Sequence, residues 1–240
     1  MRASGNTILI VGGTSGIGFG LAERWRDSGN TVIIAGRSAD AIEGFPTVPV
    51  DVSDPASILR ARDAALDRYP DLNVLVSMSG IMLPENLLDP GFLATAEATV
   101  EINLLGTIRT IAAFIPALTA REDGVIMTVS SGLASVPLPV TPTYNATKAA
   151  IHSFSESLRV QLMDAGTQVI ELVPPGVRTT LFGQEKAGSG MPLDEFLDEV
   201  MDILSAEPDV REVLVENVRY LRFAEANGVW PEAFGMLGGR

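Results

Sequence analysis

Short apolar runs, mostly β-branched, alternate along the chain with longer segments whose apolar positions recur every three or four residues. The runs at 7–11 (TILIV), 31–35 (TVIIA), 48–50, 72–76, 124–130 (GVIMTVS) and 168–173 (QVIELV) read as strands. Helices are predicted over 16–28, with Gly29 as stop, and from Asp54-Pro55 to residue 69, with proline at the first position. Further helices are predicted over 94–118 and 144–165. Leu193, Phe196, Leu197, Val200 and Leu204 continue at helical spacing, and a last helix is predicted over 210–227, with Gly228 as stop. The strands are apolar on both faces, which implies a parallel sheet covered on both sides. Right-handed crossovers make it a single-domain, doubly wound Rossmann-type α/β sheet of order 3-2-1-4-5-6. That one domain spans 1–240. The terminal FGMLGGR shows no seventh strand. Gly183, Gly188, Gly190 and Pro192 punctuate a stretch expected to be mobile, within a segment, 180–204, expected to cover the pocket as a lid.

Composition narrows the function. The chain has 240 residues, 46% of them apolar, enough for one sizeable core. A net charge of −13 opposes binding to nucleic acid or to an anionic membrane. No stretch reads as a membrane span of roughly 18 or more apolar residues, and the N-terminal run is too short for a signal peptide. A soluble cytoplasmic protein is therefore expected. There is no cysteine and only one histidine, His152. Thiolate chemistry and multi-histidine metal sites are excluded, and no metal is expected.

Gly12-Gly13-Thr14-Ser15-Gly16-Ile17-Gly18 follows the first strand and opens the first helix. Glycines there permit a tight turn and close approach of a pyrophosphate to the helix N-terminus. The spacing is G-x-x-x-G-x-G. Farther on, Tyr144 and Lys148 stand four residues apart, one helical turn, on one face. A ketone taking up a hydride builds negative charge on oxygen and needs a proton. A free tyrosine, with a pKa of about 10, exchanges protons poorly at neutral pH. A neighbouring ammonium favours the tyrosinate. Reaching about 7 needs roughly 4 kcal/mol of differential stabilisation, to which a cofactor's positive ring adds in the oxidised complex.

Taken in order over about residues 5 to 180, these features resemble the short-chain dehydrogenase/reductase family, and the layout, in YPDLNVLV and LRFAEANG, resembles its compact DltE-like bacterial subgroup. GGTSGIG is similar to the family's glycine-rich turn, Asp51-Val52 to the acidic position after the third strand that contacts adenine, and Asn103 in EINLLG to the asparagine of the long central helix. Ser131, thirteen residues before Tyr144, and Lys148 complete the catalytic pattern. Pro175-Gly176-Val177 with Thr179 resembles the turn flanking the nicotinamide. The resemblance implies Tyr144 as acid/base, Ser131 as hydrogen-bond partner of the substrate oxygen, Lys148 as holder of the ribose hydroxyls, and Asn103 as support for a water relay to Lys148. Ser130 is a neighbouring candidate for the serine role, and Asn103 alone also reads as a satisfied buried amide. A homodimer through the helices of Asn103 and Tyr144 is implied; a tetramer would need the seventh strand.

Cofactor choice is read after the second strand. Gly36 stands where NAD enzymes carry an acid, and Arg37-Ser38 follows. A guanidinium pairs with a 2′-phosphate, so NADP(H) is expected over NAD(H), unless Arg37 only stacks on adenine. Two departures stand out. Ser77-Met78-Ser79-Gly80 replaces the family's N-N-A-G, and Val11 replaces a threonine. Both sides of one family contact have changed, so apolar packing is expected to replace a hydrogen bond, with Gly80 still allowing close cofactor approach. The substrate wall is expected from 132–143, with Leu133, Pro137, Met82, Phe182 and Met191 as candidate lining. Phe196 reads as packing, and His152 as an outer-helix or interface residue.

The expected function is an NADP(H)-dependent oxidoreductase interconverting a carbonyl and an alcohol on a mainly apolar small molecule. The alternative is a nucleotide-binding regulatory or scaffold protein with lost or weak turnover. An epimerase or dehydratase on a nucleotide sugar uses the same residues but a larger substrate region than the roughly 60 residues after the sixth strand.

Overall fold

In β1 (Thr7–Val11) successive side chains point to opposite faces, and both faces are covered. Ile8 and Ile10 enter one core with Leu21 and Trp25 of α1 (Gly16–Asp27). Leu9 and Val11 enter the other. That core holds Ile58 and Ala61 of α2 (Pro55–Arg68), where the Asp54 carboxylate caps the helix by accepting from Ala56 N at 2.9 Å. The computed structural model describes residues 1–39, 42–183 and 190–238.

The remaining strands are β2 (Thr31–Gly36), β3 (Thr47–Pro49), β4 (Val74–Ser77), β5 (Val125–Val129), β6 (Gln168–Leu172) and β7 (Glu212–Val213). All pair in parallel, in the order β3-β2-β1-β4-β5-β6-β7. The predicted order stands, but the seventh strand that the sequence did not reveal is present. It has two residues, pairing Glu171 with Glu212 and Leu172 with Val213. It lies where a single helix over 210–227 was predicted. The helix there is shorter, α7 (Glu216–Arg222), and a second, α8 (Trp230–Met236), follows it. The apolar spacing continues across the break and hides so short a strand.

Between β4 and β5 runs α3 (Phe92–Thr99), a π-helical turn (Val100–Leu105) and α4 (Gly106–Thr119). In the π turn Gly106 N donates to Glu101 O, five residues back. Contrary to expectation, the whole run Phe92–Thr119 is long and apolar enough, by length and composition, to cross a membrane. Its Ile111, Phe114 and Leu118 are instead buried against the sheet. α5 (Pro142–Gln161) packs on the same face.

Of the expected lid segment 180–204, Thr180 and Leu181 line the cleft, while α6 (Leu193–Ala206) packs into the core. Phe196, Leu197 and Val200 are buried in the α1-side core, and Arg24 of α1 reaches Asp194 and Asp198 at 3.1 and 2.9 Å. The predicted mobile stretch, including Gly188, falls largely on 184–189, outside the described residues. α7 and α8 close a third, small core. Trp230 stacks on Phe234 with ring centroids 4.9 Å apart, and Trp230 Nε1 donates to Ser135 O at 3.0 Å.

If α6 is part of the core, Leu197→Ala lowers the unfolding free energy by about 2–5 kcal/mol in denaturant melts. An unchanged midpoint would show a helix that merely covers the cleft.

Candidate active site

The carboxyl ends of β1, β2, β4, β5 and β6 open into one cleft of about 440 Å³. Such a crevice, where the crossovers change direction, is where open α/β sheets bind ligands. One end is the glycine-rich turn. Gly12 has φ of +99°, and a Cβ there would stand 2.6 Å from Ser79 N. Only glycine allows the β4 segment so close. At Gly36 a Cβ would come 2.8 Å from the Thr14 methyl, so the missing side chain lets the turn lean on β2. Thr14, Ser15, Gly16, Ile17 and Gly18 line the cleft. Ser15 N-caps α1, yet its side chain makes no cap bond, so its hydroxyl and the helix N-terminus stand ready for an anion.

Arg37, Asp51 and Val52 line the same end. The Asp51 carboxylate accepts from Ser53 N and Ser53 Oγ at 2.9 and 2.7 Å. These bonds, aided by the Arg37 charge, hold its pKa below the usual carboxylate value. A carboxylate therefore does stand near Arg37, from β3's end rather than β2's. Among the described residues no acid lies within ion-pair distance of the guanidinium. Ser38 is exposed beside Arg37, just outside the residues that line the cleft.

The changed segment Ser77-Met78-Ser79-Gly80 keeps its tie to β1 through the backbone, with Met78 N donating to Val11 O at 2.9 Å. The two departures do not pack as one apolar contact. Val11 belongs to the core on the α4 side and Met78 packs against the α1 side. Ser79 and Gly80 remain on the cleft wall.

At the other end Ser131, Tyr144 and Lys148 come together. Ser131 follows β5 and caps a single 3₁₀ turn (Gly132–Ala134), its Oγ accepting from Leu133 N at 3.2 Å. Pro142 starts α5, which places Tyr144 in its first turn. The Tyr144 phenol is only 7% exposed. Burial pushes its pKa up to about 12, and the Ser131 hydroxyl beside it draws it partly back. The protein's own groups thus leave the phenol further from neutrality than a free tyrosine. Bringing it to about 7 takes roughly 7 kcal/mol, more than the sequence implied. Lys148 Nζ lies 5.6 Å from the centroid of the Tyr144 ring and donates to Val129 O at 2.8 Å. Burial lowers its pKa to about 8, against the opposing charge of Glu171. Ser130, the other serine candidate, also lines the cleft, and its buried Oγ has no partner among the described residues.

Asn103 stands behind the cleft wall, in the π turn. Its Oδ1 accepts from Ile81 N and its Nδ2 donates to Ile81 O, both at 2.8 Å. Nδ2 also reaches Thr147 Oγ1 at 3.4 Å. The side chain pins the segment after β4 to the turn that carries Tyr144 and Lys148.

Pro175, Gly176, Val177 and Thr179 line the cleft as predicted, and so do Leu133 and Met82. Pro137, Phe182 and Met191 do not: Met191 is a core residue, and Phe182 faces out with φ of 56°. Leu138 falls in the wall expected over 132–143, while sequence reasoning missed Leu221 and Leu237, which the small C-terminal core brings to the far wall.

The sequence profile described as short chain dehydrogenase matches residues 6–189. The chain is 38% identical to the oxidoreductase DltE of Bacillus subtilis (strain 168), itself described as uncharacterized, over 93% of each chain. A short chain dehydrogenase from Burkholderia cenocepacia J2315, solved in complex with NADP, superposes with a TM-score of 0.82 at 25% identity, covering 99% of both chains. A 3-ketoacyl-(acyl-carrier-protein) reductase from Brucella melitensis, complexed with NADH, gives 0.75 at 25% identity over 90% of this chain and 96% of that one.

Gly12→Ala puts a methyl against the Ser79 backbone at a left-handed φ. It is expected to cost about 1–3 kcal/mol in a thermal or denaturant melt. A neutral substitution would mean that β4's end has room the structure does not give it.

Proposed function

The chain belongs to the short-chain dehydrogenases, and on that premise we propose that it is an NADP(H)-dependent oxidoreductase interconverting a carbonyl and an alcohol on a mainly apolar small molecule. The observation that carries the reading is the convergence of Ser131, Tyr144 and Lys148 at the end of a cleft that begins at the glycine-rich turn. The residues suit a dinucleotide. A left-handed glycine and a helix N-terminus stand at the pyrophosphate end, with Arg37 and Asp51 at the adenosine end. A nicotinamide cofactor, when bound, supplies the hydride for reduction and accepts it in oxidation.

The chain's own part is positioning and proton movement. In reduction, the hydride goes to the carbonyl carbon and the Tyr144 O–H gives its proton to the carbonyl oxygen, leaving a tyrosinate. The Ser131 hydroxyl lies beside the phenol, where it holds the substrate oxygen. Lys148 supplies positive charge under the Tyr144 ring and an ammonium for the ribose hydroxyls. Asn103 acts by fixing the segments on either side, through Ile81 and Thr147. Met82, Leu133, Leu138, Leu221 and Leu237 give the substrate end its apolar wall, which favours an uncharged substrate.

Arg37 supports NADP(H) over NAD(H). It lines the cleft beside Gly36, where no acid side chain competes from β2. The related structures themselves carry NADP in one case and NADH in the other. A regulatory or scaffold role drew its support from the changed 77–80 segment, which still reaches the cleft with Ser79 and Gly80. A homodimer through the helices of Asn103 and Tyr144 belongs to this proposal, in keeping with a Phe92–Thr119 run only 39% buried in its most apolar window. β7 lies at the sheet edge that a tetramer would use.

Tyr144→Phe is expected to lower turnover by about 10²–10⁴-fold in a carbonyl screen with NADPH, with cofactor affinity kept. Full activity in the variant rejects Tyr144 as proton donor, and binding without turnover in the parent protein favours the scaffold role. Arg37→Ala should weaken NADPH by about tenfold or more and leave NADH unchanged in fluorescence titrations. A parent protein that prefers NADH overturns the role given to Arg37.

A further inference from the structure

β6 carries a carboxylate where a strand covered on both faces favours apolar residues. Glu171 is fully buried. Its neighbours Ile170 and Leu172 face the α1-side core, so Glu171 points to the opposite face, toward α5. Among the described residues no lysine or arginine nitrogen lies within ion-pair distance of it, and its hydrogen-bond partner is His152 Nδ1, at 2.9 and 3.0 Å from the two oxygens. A buried carboxylate is costly to keep charged unless nearby positive groups and hydrogen bonds compensate it. His152 stands one turn beyond Lys148 on α5. Lys148 Nζ in turn rests on the carbonyl of Val129, whose partner across the ladder is Leu172, the residue after Glu171. Ammonium, imidazole and carboxylate therefore share one α5–β6 interface.

We infer that Glu171, held in place by His152, is the buried counter-charge of Lys148, and that the two are positioning residues for the Tyr144–Lys148 couple. The inference rests on the role proposed above for Lys148 in cofactor binding. Burial alone drives the Lys148 ammonium toward its neutral form, and the charge on Glu171 opposes this. The hydrogen bond that His152 donates to Glu171 is the main cause holding its imidazole above the usual pKa.

The other charged groups around the pair leave Glu171 to this task. On α5 they are Tyr144, Glu156 and Arg159; at β7, Arg211 and Glu212; on α7, Arg222. Arg159 and Arg211 pair with Glu156. Arg222 clasps Glu212 with bonds of 2.8 and 3.1 Å and brings a nitrogen 3.5 Å from His152 Nε2. A neutral imidazole that donates from Nδ1 to Glu171 and accepts at Nε2 from Arg222 satisfies both contacts. His152, Glu171 and Glu212 also have the spacing of metal ligands, but the Arg222 guanidinium already supplies the cation at Glu212.

The sign of the effect is fixed. Below its pKa Lys148 is charged and grips the ribose hydroxyls; as pH rises through about 8 that grip is lost. Removing the Glu171 charge moves the loss to lower pH. The test is a fluorescence titration of NADPH against the intact protein from about pH 7 to about pH 10. The parent affinity should fall with an inflection near 8, absent in Lys148→Met. Glu171→Gln should shift the inflection down by about one unit, weakening binding at the parent's inflection pH by about fivefold and well above it by about tenfold. Glu171→Asp, which keeps the charge, should stay nearer the parent. An unmoved inflection in a folded Glu171→Gln protein overturns the inference. A parent protein that binds NADPH at no pH instead overturns the proposed cofactor site, and this inference with it.

Discussion

A lysine ammonium removed from water is the constraint on which this site depends. Lys148 is only 6% exposed, yet it lies under the ring of a tyrosine that is itself buried. In a low-dielectric surrounding both groups favour their neutral forms, which pushes the phenol up and the ammonium down. Those directions oppose proton exchange near neutrality. The protein offsets them with fixed partners: the Val129 carbonyl on Lys148, the Ser131 hydroxyl beside Tyr144, and a carboxylate on β6. Under the proposed function, further positive charge arriving with a nicotinamide ring would lower the phenol toward use and so tie activity to an occupied cleft.

The fold meets this constraint through its topology. Parallel strands bring the carboxyl ends of β1, β4, β5 and β6 to one edge, and the right-handed crossovers return α1, α4 and α5 to the two faces. Two apolar layers, one with Trp25 and Phe196, the other with Phe114 and Ile111, make the strands a rigid base. Precision at the site comes from a few polar devices set on that base. From the π turn Asn103 clamps Ile81 on one side and meets Thr147 on the other, so the long helix positions both the cleft wall and the turn with Tyr144. Gly12 gives the β4 segment its closest approach.

What could be read from the sequence follows from how local each signal is. Strands such as TILIV and the turn GGTSGIG carry their reasons within a few residues, and both lie where expected. The Tyr144–Lys148 pairing needs only helical spacing. β7 was illegible because two residues have no period of their own, and the spacing around it suits a helix. That the 193–204 part of the expected lid packs into the core was not legible, because amphipathic spacing says that a face is buried but not against what; Leu197 finds Gly20 of α1. Leu221 and Leu237 reach the cleft only through the packing of Trp230 on the 132–136 segment, which no local pattern encodes. The changes at Val11 and Met78 were legible, but their outcome was not, since the two side chains go to opposite faces of the sheet.

The most direct measurement is the ionisation of Tyr144 itself. The chain has three tyrosines, so the ultraviolet absorbance of phenolate, taken as the difference between the parent protein and Tyr144→Phe, isolates this one. Titrated alone, the Tyr144 phenol should ionise near 12. With saturating NADP⁺ the same signal should appear several units lower, as Lys148 and the added positive charge act together. A phenol that ionises at the same pH with and without the nucleotide would contradict the account: the buried pair would then be a packing arrangement and not a proton-transfer couple.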